Sequence, residues 1–152
     1  MTTQAVTVRR AGIDDGPTLA RLRRAWSEED GAVEDPSFDA RFTHWIEREA
    51  ERRVAWIAER SGQPVGMLNL AVFVRMPRPG RPERRWGYIA NVFVLSAHRD
   101  AGVGAALLDA AVAHARDHAL VRLVVNPSER SIPFYRRAGF GTSRLLQLDL
   151  DV

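Results

Sequence analysis

Val92-Phe93-Val94-Leu95-Ser96-Ala97-His98-Arg99-Asp100-Ala101-Gly102-Val103-Gly104-Ala105 is the stretch that decides the fold. Its first residues are apolar and β-branched and its last ones open a helix, so it predicts a strand, a turn and a helix in succession. Two glycines at the helix start let the backbone approach a ligand closely and aim several N–H groups at one point. Those donors add to the positive end of the helix dipole. Arg99 can add a planar fork suited to phosphate. This is the construction expected of a pyrophosphate cradle. A bare Gly-x-Gly pair also fits a tight turn with no ligand, and a Rossmann fingerprint fails because its third glycine falls at Leu107.

Downstream, residues 102–118 form the strongest predicted helix, with Val103, Leu107, Leu108, Ala111, Val112 and Ala115 as its apolar stripe. Residues 121–125 read as a short buried strand, and 131–138 as a short helix stopped by Gly139. Leu146, Leu148, Leu150 and Val152 alternate with polar residues as a last strand. Upstream, Val6 and Val8 alternate in a first strand. Asp14-Asp15-Gly16-Pro17 then opens a helix running to about Ser27, with Leu19, Leu22 and Trp26 on one face. An acidic loop occupies residues 28–39, and a second helix places Phe42, Trp45 and Ile46 at core spacing. Strands follow at 54–59, 65–74 and 86–95, the last two separated by a basic, proline-rich loop at 75–85. The pattern is a single mixed α/β domain over residues 1–152, without repeats or linker.

Composition removes whole chemistries. The 22 basic side chains are all arginine, and lysine and cysteine are both absent. That excludes a lysine Schiff base, a thiolate nucleophile, a thiolate metal site and a P-loop lysine. The pI of about 10.4 accompanies a net charge of only +3. Without lysine, little titrates between neutrality and arginine, so the pI is weak evidence for a nucleic-acid partner. The apolar run 65–74 contains Gly66 and Asn69 and is strand-sized, which gives no membrane span. A cytoplasmic protein is the reading, with a homodimer among the assemblies allowed.

A second motif follows the cradle: Asn126-Pro127-Ser128-Glu129-Arg130-Ser131-Ile132-Pro133-Phe134-Tyr135-Arg136-Arg137-Ala138-Gly139-Phe140. Arg99, Gly102, Gly104 and Ala105 match an Arg/Gln-x-x-Gly-x-Gly/Ala signature, while Phe134, Tyr135, Gly139 and Phe140 match an aromatic-Tyr-x-x-x-Gly-Phe ending. With one helix and one strand between them, the two motifs resemble the GNAT superfamily of acyl-CoA-dependent N-acetyltransferases.

The resemblance implies a mixed, largely antiparallel sheet splayed between its fourth and fifth strands, with coenzyme A in the gap. It implies that Val92, Phe93 and Val94 pair with the pantetheine arm, and that Asp100, Ala101, Gly102, Val103, Gly104 and Ala105 carry the pyrophosphate beside Arg99. It also implies that Tyr135 lies near the thioester sulfur as the acid for the departing thiolate. No metal is implied. The co-substrate is acetyl-CoA and the acceptor is a primary amine of a small molecule or peptide.

Some positions depart from that pattern. Ala90 stands where many relatives keep a glutamate, and the following strand has none near Leu123, so no general base carries over. The acidic loop 28–39 is the best substitute, although a water relay is equal to it and a solvated charge run explains each carboxylate. Ser128 replaces the asparagine seven residues before the tyrosine, with Asn126 in a different register. His114 and His118 lie four apart but lack the glutamate of a zinc motif, which makes them surface histidines. His98 reads as a turn residue beside the phosphate loop. Trp26, Trp45 and Trp56 read as core, whereas Trp86 and Phe73 are candidates for an acceptor pocket. The five arginines of the loop 75–85 fit a charged hairpin tip, with attraction of an acidic acceptor or of RNA as the other options. Two functions are left: an N-acetyltransferase working by direct attack in a ternary complex, or a non-catalytic acyl-CoA-binding sensor or interaction module. Without lysine, the chain offers an acetyl donor no side-chain amine.

Overall fold

The computed structural model describes residues 5–150. In chain order they form β1 (Val6–Arg10), α1 (Gly16–Glu28), α2 (Phe38–Glu49), β2 (Arg53–Arg60), β3 (Gln63–Val74), β4 (Arg85–Val94), α3 (Val103–Asp117), β5 (Leu123–Val125) and α4 (Ile132–Arg137). The strands make one sheet in the order β1-β2-β3-β4-β5. Every pairing is antiparallel except β4 with β5, which is parallel. This is the mixed α/β sheet that the sequence predicts.

Helices cover both faces, which is why the central strands carry near-continuous apolar runs. On one face Val54, Trp56, Ala58, Leu68, Leu70 and Ile89 pack on Leu107, Leu108 and Ala111 of α3. On the other, Ile57, Met67 and Phe93 meet Leu19 and Leu22 of α1, with Phe42 and Ile46 of α2 at the edge. Leu68 and Leu70 are fully buried, and truncating such a side chain to alanine costs about 2–5 kcal/mol.

Two irregularities shape the sheet. The β3–β4 register slips between Asn69 and Leu70, so Asn69 pairs with Asn91 and Leu70 with Ile89, leaving Ala90 as the extra residue of a bulge. The parallel pairing of β4 with β5 runs only from Gly87↔Leu123 to Ile89↔Val125. Beyond Ile89, β4 therefore has, among the described residues, a strand neighbour on its β3 side only.

The predicted last strand does not form. Residues 141–150 have no regular structure, and Leu146, Leu148 and Leu150 are 99%, 82% and 75% exposed. Alternation creates a strand only where a sheet edge receives it, and no described edge does so here. Val152 of that prediction lies outside the described residues. Residues 121 and 122 also stay outside β5, and α2 stops at Glu49 instead of near Arg52.

Candidate active site

The gap begins at the bulge. Leu95 donates its N–H to the Val65 carbonyl (2.9 Å). Strand alternation then turns the amides of Phe93 and Asn91 toward β3 and those of Val92 and Val94 toward the open edge. Before the bulge the phase is reversed, since Gly87 donates across to the Arg122 carbonyl beside β5 (3.0 Å). The extra residue thus presents Val92 and Val94 to the gap. Phe93 is committed to the core: it is 4% exposed and stacks on Trp26 with ring centroids 5.5 Å apart.

At the end of β4 the chain makes a helical turn over Ser96–His98 and enters α3 through Gly102, the residue before its first turn. Gly102 has φ +84 and nothing crowding the position a Cβ would take, so glycine is favoured by conformation there. Asp100 shares the left-handed region with φ 58. The first helical hydrogen bond runs from Ala106 to the Gly102 carbonyl (3.0 Å), which leaves the N–H groups of Val103, Gly104 and Ala105 without a helical partner. This cradle of free donors opens at the end of the β4 edge.

Arg99 is turned away from it. Its Nε donates to the Val94 carbonyl (3.0 Å), and its Nη2 bonds both oxygens of Glu29, the longer contact being 2.6 Å. Glu29 lies just past α1. Other acidic-loop carboxylates are also engaged: Asp35 holds Arg41 and Ser37, and Asp39 pairs with Arg24 at 3.5 Å.

The second motif meets the first. A Cβ on Gly104 would lie 3.5 Å from the Phe134 ring and 4.0 Å from Val94. Tyr135 is 7% exposed, with Phe134 and Phe140 edge-on to its ring at 4.9 and 5.5 Å. Burial, with a smaller contribution from Tyr88, pushes its hydroxyl above the usual tyrosine range, so it stays protonated at neutral pH. Asn126 is exposed just after β5. Ser128 starts the turn before α4 and donates its hydroxyl to Ser131 Oγ (3.1 Å).

A cavity of about 420 Å³ opens on the α1–α2 side of the sheet. Phe38, Phe42, Trp45, Ile46, Leu19 and Met67 line it, and it reaches the sheet at Asn69 and Asn91, beside the bulge. Asn69 Oδ1 is fully buried and has no hydrogen-bond partner. The sequence reading missed this pair, although Asn69 is the one amide inside the apolar run 65–74. Trp45 lines this cavity instead of the core. Trp86 and Phe73 stack on each other at 4.7 Å away from it. None of the residues 28–37 lines it either. His114 is half-buried against Trp56 at 5.3 Å and stacks on His118 at 3.9 Å, so it is not a surface histidine. His98 Nδ1 meets Arg60 at 3.1 Å.

Residues 19–140 match the family model described as "Acetyltransferase (GNAT) family". The chain belongs to that family. The chain is 33% identical over 91 residues to glucosamine 6-phosphate N-acetyltransferase of Trypanosoma brucei brucei, a match covering 59% of this chain and 60% of that protein. The chain thus aligns with about three fifths of the curated relative's length. The crystal structure of a GCN5-related N-acetyltransferase from Ralstonia eutropha superimposes on this chain with TM-score 0.74 and 26% identity, over 96% of this chain and 99% of the other. A predicted acetyltransferase from Clostridium acetobutylicum, solved with acetyl-CoA, shares the fold at TM-score 0.76 and 24% identity, over 95% and 96%. Acetyl transfer from acetyl-CoA is the chemistry of this family. No helix among the described residues is long and apolar enough to cross a membrane.

Proposed function

We propose that the chain is an acyl-CoA-dependent N-acetyltransferase in which a primary amine attacks acetyl-CoA directly in a ternary complex. The observation that carries the reading is the open edge of β4 running into the free donors at the start of α3. Pantetheine pairs with the backbone of Val92 and Val94 there, while Phe93 supports the strand from the core. The pyrophosphate lies on Asp100, Ala101, Gly102, Val103, Gly104 and Ala105, with Arg99 swinging from Glu29 to its rim. Asn126 and Ser128 border the coenzyme from the β5 side.

In the reaction the neutral amine nitrogen adds to the thioester carbonyl, and the tetrahedral oxyanion is stabilised by a backbone N–H of the splayed strand. Collapse breaks the carbon–sulfur bond. Tyr135 donates a hydrogen bond and its proton to the thiolate, and water takes the proton lost by the amine. Acyl transfer through a cysteine is impossible, since the chain has none. The cavity that reaches β4 at Asn91 gives an acceptor access to the gap, which favours catalysis over a sensor without chemistry. A cytoplasmic location goes with this donor.

The same reading includes a homodimer. Leu146, Leu148 and Leu150 form an exposed, period-two apolar edge, and among the described residues β5 pairs only with β4. A segment that exposes so much apolar surface gains by adding to a sheet edge of a second copy. Sedimentation of the full chain against one ending at Ser143 tests this: dimer for the first and monomer for the second is expected, and two monomers would end the dimer reading. For the enzyme itself, the test is acetyl-CoA-dependent thiol release across a panel of amines and peptides. Silence with acetyl-CoA demonstrably bound would favour the sensor.

A further inference from the structure

We propose that the acceptor is a primary amine on an apolar body of about the size of an aromatic ring, and that Asn69 is the residue that selects it. The inference rests on the acetyltransferase reading above and names the substrate class of its cavity.

The walls argue first. Phe38, Phe42 and Trp45 form a continuous set of rings, with centroids 5.7 and 5.6 Å apart in succession, and Leu19, Ile46 and Met67 complete the apolar lining. Such a pocket favours an apolar ligand body and gives a sugar's hydroxyls few partners. Charge argues next. Three arginines border the cavity, and two of them are held by other groups. Arg53 bonds Glu49 at 3.2 Å and covers the Trp45 ring at 4.9 Å. Arg23 donates to Ser27 at 2.9 Å and covers Trp26 at 4.7 Å. Arg10 falls in strand register with Val6 and Val8, which pack toward α3, where its charge bears on His114. Against them stand Glu47 and Glu49 in the same lining. With Arg53 tied to Glu49 and a second carboxylate, Glu47, in the same lining, the cavity lacks the set of converging forks that a phosphate site uses.

Asn69 supplies the polar end. Its Oδ1 is withdrawn from solvent without a partner, in a protein where buried polar groups are nearly always satisfied. Asn69 lines the cavity, and a turn of its carboxamide brings that oxygen to a donor bound there, which repays its lost hydration. An amine N–H fits: it places the nitrogen opposite Asn91, where β4 and β5 part. A carbonyl oxygen holds the amine without taking its proton, so the lone pair stays free for the thioester. Asn69 therefore touches the attacking nitrogen.

The experiment has three arms. Acetyl-CoA binding is measured first by calorimetry; no binding defeats the acetyltransferase reading itself. With binding in hand, kcat/KM is compared for 2-phenylethylamine, glucosamine and glucosamine 6-phosphate. At least tenfold preference for phenylethylamine is expected, whereas preference for either sugar, or no turnover of the aryl amine, overturns the acceptor class alone. Asn69→Leu then removes the lone carbonyl at similar volume. Expected are a loss of at least tenfold in kcat/KM on phenylethylamine, unchanged acetyl-CoA affinity and an unchanged or higher Tm. Asn69→Ala serves the same comparison if the leucine variant does not fold. Retained turnover in the folded variant, or acetyl-CoA affinity lost in step with activity, overturns the role of Asn69.

Discussion

Arg99 joins two ends of the site: one guanidinium takes the Val94 carbonyl at 3.0 Å and the Glu29 carboxylate beyond α1. The phosphate loop and the acidic loop, 70 residues apart in sequence, are thereby fastened together in the free protein. The pair is about one-third exposed on each side, so it contributes ~0–1 kcal/mol to stability. An anion at the cradle can take the fork from Glu29 at little cost to the fold.

Arg99→Ala should therefore weaken acetyl-CoA binding about ten- to a hundredfold, the loss of one charge-assisted hydrogen bond, while Tm changes little. Glu29→Gln should strengthen binding severalfold by removing the competitor. Calorimetric titration reads both, and parent-like affinity in Arg99→Ala would show that the cradle's amides suffice.

The two glycines should separate conformation from ligand approach. Gly102→Ala forces an alanine to φ +84, which costs about 1–2 kcal/mol, and Tm should fall. Gly104→Ala places its methyl 3.5 Å from Phe134, an ordinary contact, so Tm should hold while acetyl-CoA affinity drops. Equal behaviour of the two variants in thermal melts and titrations would contradict the cradle.

Tyr135→Phe should lower kcat by about 10²-fold or more and leave the acetyl-CoA Kd unchanged. Burial holds the hydroxyl above its usual range, so kcat should show no alkaline loss from this group below about pH 10. Stability carries the same sign: it is full below pH ~10 and falls as the unfolded chain's tyrosine ionises first. Parallel losses of Kd and kcat would make the ring structural.

His114 gives an acid-side signal. Burial, then the nearby charges of His118, Arg10 and Arg85 against that of Asp117, lower its pKa. The folded chain resists a proton that the unfolded chain accepts near pH ~6.5, so stability is full above that pH and is lost as pH falls through it. Asp15, Asp35 and Glu49 are held below their usual ranges, and their contributions fade only below pH ~4–5. Tm should fall between pH 7 and 5.5, and His114→Asn should flatten that slope. An unchanged slope would assign it elsewhere.

Much of this was legible in the chain because it is local. The spacing of Gly102, Gly104, Tyr135 and Gly139 fixes a strand–turn–helix and a closing helix, and Gly102 and Gly139 are tied to backbone shape by their positive φ. What stayed hidden depends on distant partners. Glu29 finds Arg99 only through the fold. Asn69 looks like one polar residue in an apolar strand until the bulge at Ala90 sets it opposite Asn91. Trp45 has core spacing on α2, yet its neighbour is a cavity. The Leu146–Leu148–Leu150 alternation is real as a pattern, but a strand also needs an edge to join.

The most direct measurement is free thiol released from acetyl-CoA, paired with mass spectrometry of the acceptor. The chain contains no lysine and no cysteine, so side-chain acetylation and internal thiols add no background. One thiol is expected for each N-acetylated amine, with release sharply reduced in Tyr135→Phe and Gly104→Ala. Thiol release at the uncatalysed rate across the amine panel, with acetyl-CoA bound in the gap, would contradict it.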